Sequence, residues 1–109
     1  MMSSTAQKKL IKRIRDRIVK EYKPEKIILF GSLAYGKPAA ESDFDLLIIK
    51  QTRKHPIERS IEVSSLFPDR DFDLDVIVRT PAEVKRRLQW GDFFYKRILT
   101  KGRVLYEKP

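Results

Sequence analysis

The chain has no cysteine, a single histidine and no long apolar run. Each absence removes a class of function. Without cysteine there are no disulfides, no thiolate nucleophile and no zinc site built on sulfur. His55 stands alone before Pro56 in a polar stretch, which reads as a helix-entry surface position, and no serine–base pattern supports triad chemistry. No apolar stretch approaches the roughly 20 residues of a membrane span, and Met1-Met2-Ser3-Ser4 lacks the apolar core of a signal peptide. These features predict a soluble protein of the cytoplasm with no membrane partner. Internal repeats, low-complexity tracts and dividing linkers are also missing, so residues 1–109 read as one domain with one modest core.

What is present suits a folded globule: 41% hydrophobic residues, 10% aromatic. Acidic residues are in deficit, 15 against 24 Lys and Arg, for a net charge of +9. An anionic ligand or partner is physically welcome on such a surface, although basic helix faces are mostly solvated. No nucleic-acid readout motif accompanies the charge, so nucleic acid stays an open partner, as does self-association.

Ala6 to Tyr22 carries Leu10, Ile11, Ile14, Ile18 and Tyr22 at helical spacing, and Pro24 ends it. Lys26–Phe30 reads as a strand, Leu33–Tyr35 as a single helical turn, and Lys37–Ser42 as a loop. Phe44–Ile49 is a second strand, apolar on both faces at its end and therefore central. A helix over Pro56–Leu66 and a third strand over Phe72–Val78 follow. Thr80-Pro81-Ala82-Glu83 combines an N-cap, proline at the first helical position and a capping-box glutamate. Asp92 caps a last helix through Lys101, Gly102 stops it, and Val104–Tyr106 forms a short edge strand. Helices interleaved with short strands predict an α/β sandwich on a small mixed sheet.

The chemistry concentrates between Gly31 and Asp45. A Gly31-Ser32 turn follows the apolar run Ile27–Phe30, Gly36 comes soon after, and Asp43 and Asp45 stand at i and i+2 before Leu46–Ile49. Alternation along a strand projects both carboxylates from one face. Two close carboxylates are costly unless a cation neutralises them. Hard divalent ions such as magnesium take oxygen ligands of this kind and usually hold substrate phosphates as well. A Gly-Ser turn brings backbone N–H groups and a hydroxyl close to those phosphates. Aspartate is depleted in strands, so two of them flanking Phe44 call for a functional reason. Gly36 reads as a structural turn. Ser32 reads as a helix N-cap as well as a phosphate ligand, and Ser42 as a cap or loop pin.

Gly31-Ser32, three residues, Gly36, five residues, then Ser42-Asp43-Phe44-Asp45 resembles the signature of the nucleotidyltransferase superfamily that includes DNA polymerase beta. The short length points to its minimal nucleotidyltransferases. The resemblance implies a mixed sheet with helices packed mainly on one face and the active site on the open face. It also implies a third carboxylate on a later strand: Asp75 matches best, with Asp73 in reserve on the same strand face. It assigns Asp43, Asp45 and Asp75 to catalysis and to two magnesium ions, and Gly31, Ser32 and Ser42 to the nucleotide. The implied reaction moves a nucleoside monophosphate, AMP from ATP, to an acceptor hydroxyl. In similar minimal enzymes that acceptor belongs to a HEPN-type toxin, with the nucleotidyltransferase as antitoxin. A non-catalytic binding module, and transfer to a small molecule or nucleic acid, are the alternatives.

Lys50, Arg53 and Lys54 follow the second strand and read either as steering charges for a triphosphate or as loop charge. Trp90, Phe93, Phe94 and Tyr95 read mainly as packing, on the sheet or on a partner protein.

Overall fold

In the computed structural model, residues 4–31, 33–34 and 43–109 are described. The order is α1 (Ser4–Tyr22), β1 (Lys26–Phe30), β2 (Asp43–Ile49), α2 (Pro56–Ser64), β3 (Asp73–Arg79), α3 (Pro81–Gln89), α4 (Phe93–Lys101) and β4 (Arg103–Glu107). The strands form one sheet in the order β3-β2-β1-β4. β1 runs antiparallel to β2 and β4, while β2 and β3 are parallel, so the sheet is mixed. As expected, β2 is central and β4 lies on an edge.

Alternation divides the strand residues between two faces. Ile27, Leu29, Phe44, Leu46, Ile48, Leu74 and Val78 point to a core shared with Ile11, Ile14, Ile18 and Tyr22 of α1 and Val63 of α2. Phe72, expected inside β3, lies just before it and packs edge-on against Phe44. The opposite face carries a smaller core in which Ile28 and Leu47 meet Tyr95 and Ile98 of α4. Helices α1 and α2 thus fill one face, and α4 shelters only part of the other.

Local chemistry explains where the helices begin and end. α1 gives way to Lys23, in the left-handed region at φ 53, and then Pro24. Thr80 forms the expected capping box with Glu83, whose carboxylate also binds the buried Arg59 at 2.7 Å. Arg59 donates to the carbonyls of Lys54 and Val78 as well, so a single guanidinium ties α2 to the end of β3 and the start of α3. Buried charge is tolerated when it is paired in this way. Asp92 Oδ1 accepts from the N–H groups of Phe94 and Tyr95, which opens α4. His55 holds the N-cap position of α2 without a side-chain cap bond, in the surface role expected of it.

Candidate active site

The acidic residues meet at the leading edge of the β2–β3 pair. The parallel register sets Asp43 opposite Asp73 and Asp45 opposite Asp75. All four belong to the odd-numbered set that includes Leu47, so they share the face on which α4 sits. Asp43, Asp73 and Asp75 are exposed, and Asp45 is half-buried. Burial pushes the Asp45 carboxyl above its ordinary range, and the charge of Asp75, a hydrogen bond with Asp75 and the charge of Asp43 push it further. Asp73 stands two residue pairs further out, opposite Asp43. Register and electrostatics therefore couple Asp45 to Asp75 and Asp43, and leave Asp73 at the outer end of β3.

Gly31 closes the other side. β1 pairs Phe30 with Asp45, and Gly31 then turns the chain at φ 80. A Cβ at Gly31 would lie 2.2 Å from Asp45 Oδ2. Glycine is needed here on two counts: the backbone is left-handed, and it passes directly against a carboxylate. Leu33 and Ala34 continue as a turn, in which the Ala34 N–H donates to the Gly31 carbonyl at 3.1 Å. Ser32, Tyr35, Gly36 and Ser42 lie outside the described residues.

The donor set fits a hard divalent cation. It offers oxygen only, and the charges of Asp75 and Asp43, which add to burial in raising the Asp45 carboxyl, are ones a cation would relieve. Among the described residues no group of three or more His, Cys, Asp or Glu side chains is gathered closely enough to hold a metal ion, so the fit rests on the Asp45–Asp75 pair, with Asp43 beside it on the same strand face.

Lys50, Arg53 and Lys54 do not join this site. They follow the far end of β2, about 20 Å along the strand from Asp43 at roughly 3.3 Å per residue. Lys50 Nζ donates to the carbonyl of Tyr22 and lies 4.5 Å from the centre of its ring. Lys54 pairs with Glu62 at 2.8 Å. The steering reading is corrected: strand direction carries these cations away from the carboxylates, and two of them have structural partners.

The aromatic cluster splits. Tyr95 is buried and accepts from Arg79 Nε at 3.1 Å. Phe94 packs edge-on against Phe30, the residue paired with Asp45. Trp90 and Phe93 are 69% and 83% exposed. The sequence pattern, with all four residues close together, does not separate these roles. A signal was available in helical spacing, because Tyr95 and Ile98 stand at i and i+3 and face the sheet.

Comparison with known proteins identifies the family and the fold. The profile of the family "Polymerase beta, Nucleotidyltransferase" matches residues 12–109. A protein of Methanocaldococcus jannaschii, provisionally named a protein adenylyltransferase, is 30% identical over 103 residues, which cover 92% of this chain and 98% of that relative. A provisionally named nucleotidyltransferase of Sulfolobus solfataricus superposes with a TM-score of 0.64 at 21% identity, over 92% of this chain and 79% of its own. A chain of the toxin–antitoxin complex MntA–HepT superposes with a TM-score of 0.55 at 19% identity, over 92% and 73%. At these identities the two structures speak for the fold. With a family profile spanning nearly all of the sequence, and a mixed sheet that gathers carboxylates beside a glycine turn, the chain belongs to the polymerase beta nucleotidyltransferase family and is a nucleotidyltransferase.

Proposed function

We propose that this chain transfers AMP from ATP to a hydroxyl of a partner protein, with magnesium held by Asp43, Asp45 and Asp75. The observation that carries the reading is the contact of Asp45 with Asp75 across the parallel β2–β3 pair, pressed against the Gly31 turn. Magnesium, when bound, would supply Lewis-acid neutralisation of phosphate charge and activation of the acceptor oxygen. Asp43 and Asp45 would be its principal ligands. Asp75, exposed beside them, would complete the ligand set or take the proton of the acceptor hydroxyl as its oxygen attacks the α-phosphorus. The bond from the α-phosphorus to the bridging oxygen breaks, and pyrophosphate leaves with the electron pair. The Gly31 turn would lie along the β- and γ-phosphates, with Ser32 and Ser42 as further nucleotide ligands.

The acceptor class rests on two supports. The M. jannaschii relative carries protein adenylyl transfer in its name, and the MntA–HepT complex pairs a chain of this fold with a toxin. A HEPN-type toxin is the partner this reading favours, in a cytoplasmic setting. Among the described residues no helix is long and apolar enough to cross a membrane.

The test is incubation with magnesium and ATP labelled at the α-phosphate, together with the proteins that co-purify from the native host. Label on a partner hydroxyl, lost with Asp45→Asn, is the expected result. Label confined to a small molecule or nucleic acid would replace the acceptor class, and absence of label from every acceptor would remove the transfer reading.

A further inference from the structure

A cleft of about 710 Å³ opens between the turn after β1 and the outer face of α4, lined by Ala34, Phe93, Lys96, Arg97, Thr100 and Lys101. Residues 96, 97, 100 and 101 stand at i, i+1, i+4 and i+5, so one helix face presents three cations and a hydroxyl to the same space. Lys96 and Lys101 are exposed, and among the described residues neither makes an ion pair. Five other described cations are in ion pairs: Arg15, Lys26, Lys54, Arg59 and Arg87, with Asp16, Glu107, Glu62, Glu83 and Asp92. Complementing the helix dipole accounts for Lys101 in the last turn of α4. It does not account for Lys96, which stands in mid-helix.

The position of the cleft gives these charges a use. One of its lining residues is Ala34, whose N–H donates to the Gly31 carbonyl, and Gly31 lies against Asp45. The acidic cluster and the basic cleft therefore meet on two sides of one turn. Phe94 packs on Phe30, the strand partner of Asp45, which holds the first turn of α4 at the same edge. A polyphosphate whose reacting phosphorus sits at the carboxylates can lead past the turn into the cleft.

The geometry points to Lys96 and Lys101, with Arg97 beside them, as the seat of the β- and γ-phosphates and so of the departing pyrophosphate. This rests on the reading of the carboxylates as the nucleotide site. As the α–β phosphoanhydride bond breaks, its electron pair passes to the bridging oxygen kept by the β-phosphate, and negative charge grows on the pyrophosphate. Cations placed there stabilise that charge where it develops. The +9 balance of the chain gains a local role on α4, while the lysines after β2 stay at the far end of the sheet.

The experiment compares the wild type with the double variant Lys96→Gln/Lys101→Gln, with Lys85→Gln on exposed α3 surface as the control for lost charge. Binding of inorganic pyrophosphate, ATP and AMP is measured by calorimetry in the presence of magnesium, with thermal melting to check the fold. The double variant should bind pyrophosphate and ATP about tenfold more weakly, the scale of losing charge-assisted phosphate contacts. AMP affinity and melting should match the wild type, and Lys85→Gln should change none of these. Unchanged pyrophosphate affinity in the double variant overturns the assignment, as does an equal loss of AMP affinity. Because binding is read without turnover, pyrophosphate held by these lysines in a chain that transfers nothing would sink the transfer reading and leave the cleft standing.

Discussion

The two halves of β2 share one sheet face and use it in opposite ways. At the leading half, Asp43 and Asp45 stand beside Asp75 and repel one another. At the trailing half, Leu47 lies fully buried under Tyr95 and Ile98 of α4. Placing like charges side by side is unfavourable, and such an arrangement persists only when the rest of the fold determines it. Here the trailing half and the α1–α2 core on the other face hold the strands in register, and register forces the carboxylates together. Stability and chemistry are separated along one strand by about two residue pairs.

Removing charge from the leading half should have the largest effect and should fall on activity alone. Asp45→Ala is expected to reduce nucleotide transfer by about a thousandfold or more, on the scale of losing a principal electrostatic contact at the reacting centre. Its melting temperature should be unchanged or raised, because a repulsion is relieved. Asp75→Asn should retain magnesium–ATP binding while transfer becomes very slow, and Asp73→Asn should be milder. Label transfer and calorimetry on the same preparations separate these outcomes; an essential Asp73 would move the site outward by two residue pairs.

The trailing half should behave in the reverse manner. Ile98→Ala empties a fully buried position and should cost about 2–5 kcal/mol in denaturant unfolding. Transfer, measured well below the melting temperature, should survive. If activity collapses while the chain stays folded, α4 is positioning the carboxylates or its own phosphate-facing lysines, and the separation is incomplete.

Gly31→Ala probes the seam between the turn and the site. The left-handed backbone should cost about 1–2 kcal/mol, and the new methyl group must displace the Asp45 carboxylate. Transfer should fall by more than this small destabilisation would suggest. A variant with normal transfer would show that Asp45 has room to move.

How much of this was legible in the sequence follows from the range of each interaction. The capping box at Thr80 and Glu83, the Asp92 cap and the alternation of Asp43 and Asp45 are local patterns, and they could be read directly. The mixed sheet and the central place of β2 followed from apolar runs and from the family resemblance. The alignment of Asp45 with Asp75 depends on strand pairing over thirty positions of sequence, which no local pattern specifies. The failure of Lys50, Arg53 and Lys54 to reach the site has the same origin: proximity in sequence to Asp45 meant distance in space, because the strand runs away from it. No sequence pattern singles out Lys96 and Lys101, because exposed lysines on a helix look alike until a neighbouring turn gives them a shared cleft.

A smaller effect tests the electrostatics without any substrate. The Asp45 carboxyl is raised in the folded chain by burial and by its acidic neighbours, so the folded state holds this proton more tightly than the unfolded state does. Stability from this group is present while it is protonated. It is lost as pH rises from the ordinary carboxylate range through the raised value. Metal-free wild type should therefore lose stability relative to Asp45→Asn across that window, with a constant difference above it. Parallel stability curves for the two proteins would show that Asp45 is less crowded than the geometry requires.

The most direct measurement of the central claim, that the leading carboxylates of β2 and β3 form a cation site for nucleotide chemistry, is thermal melting against magnesium concentration for the wild type and Asp45→Asn. A ligand that binds only the folded state raises its melting temperature as concentration grows. The account predicts a rising melting temperature for the wild type, a further rise with ATP, and a flat response to magnesium for Asp45→Asn. An equal magnesium response in both proteins would contradict it.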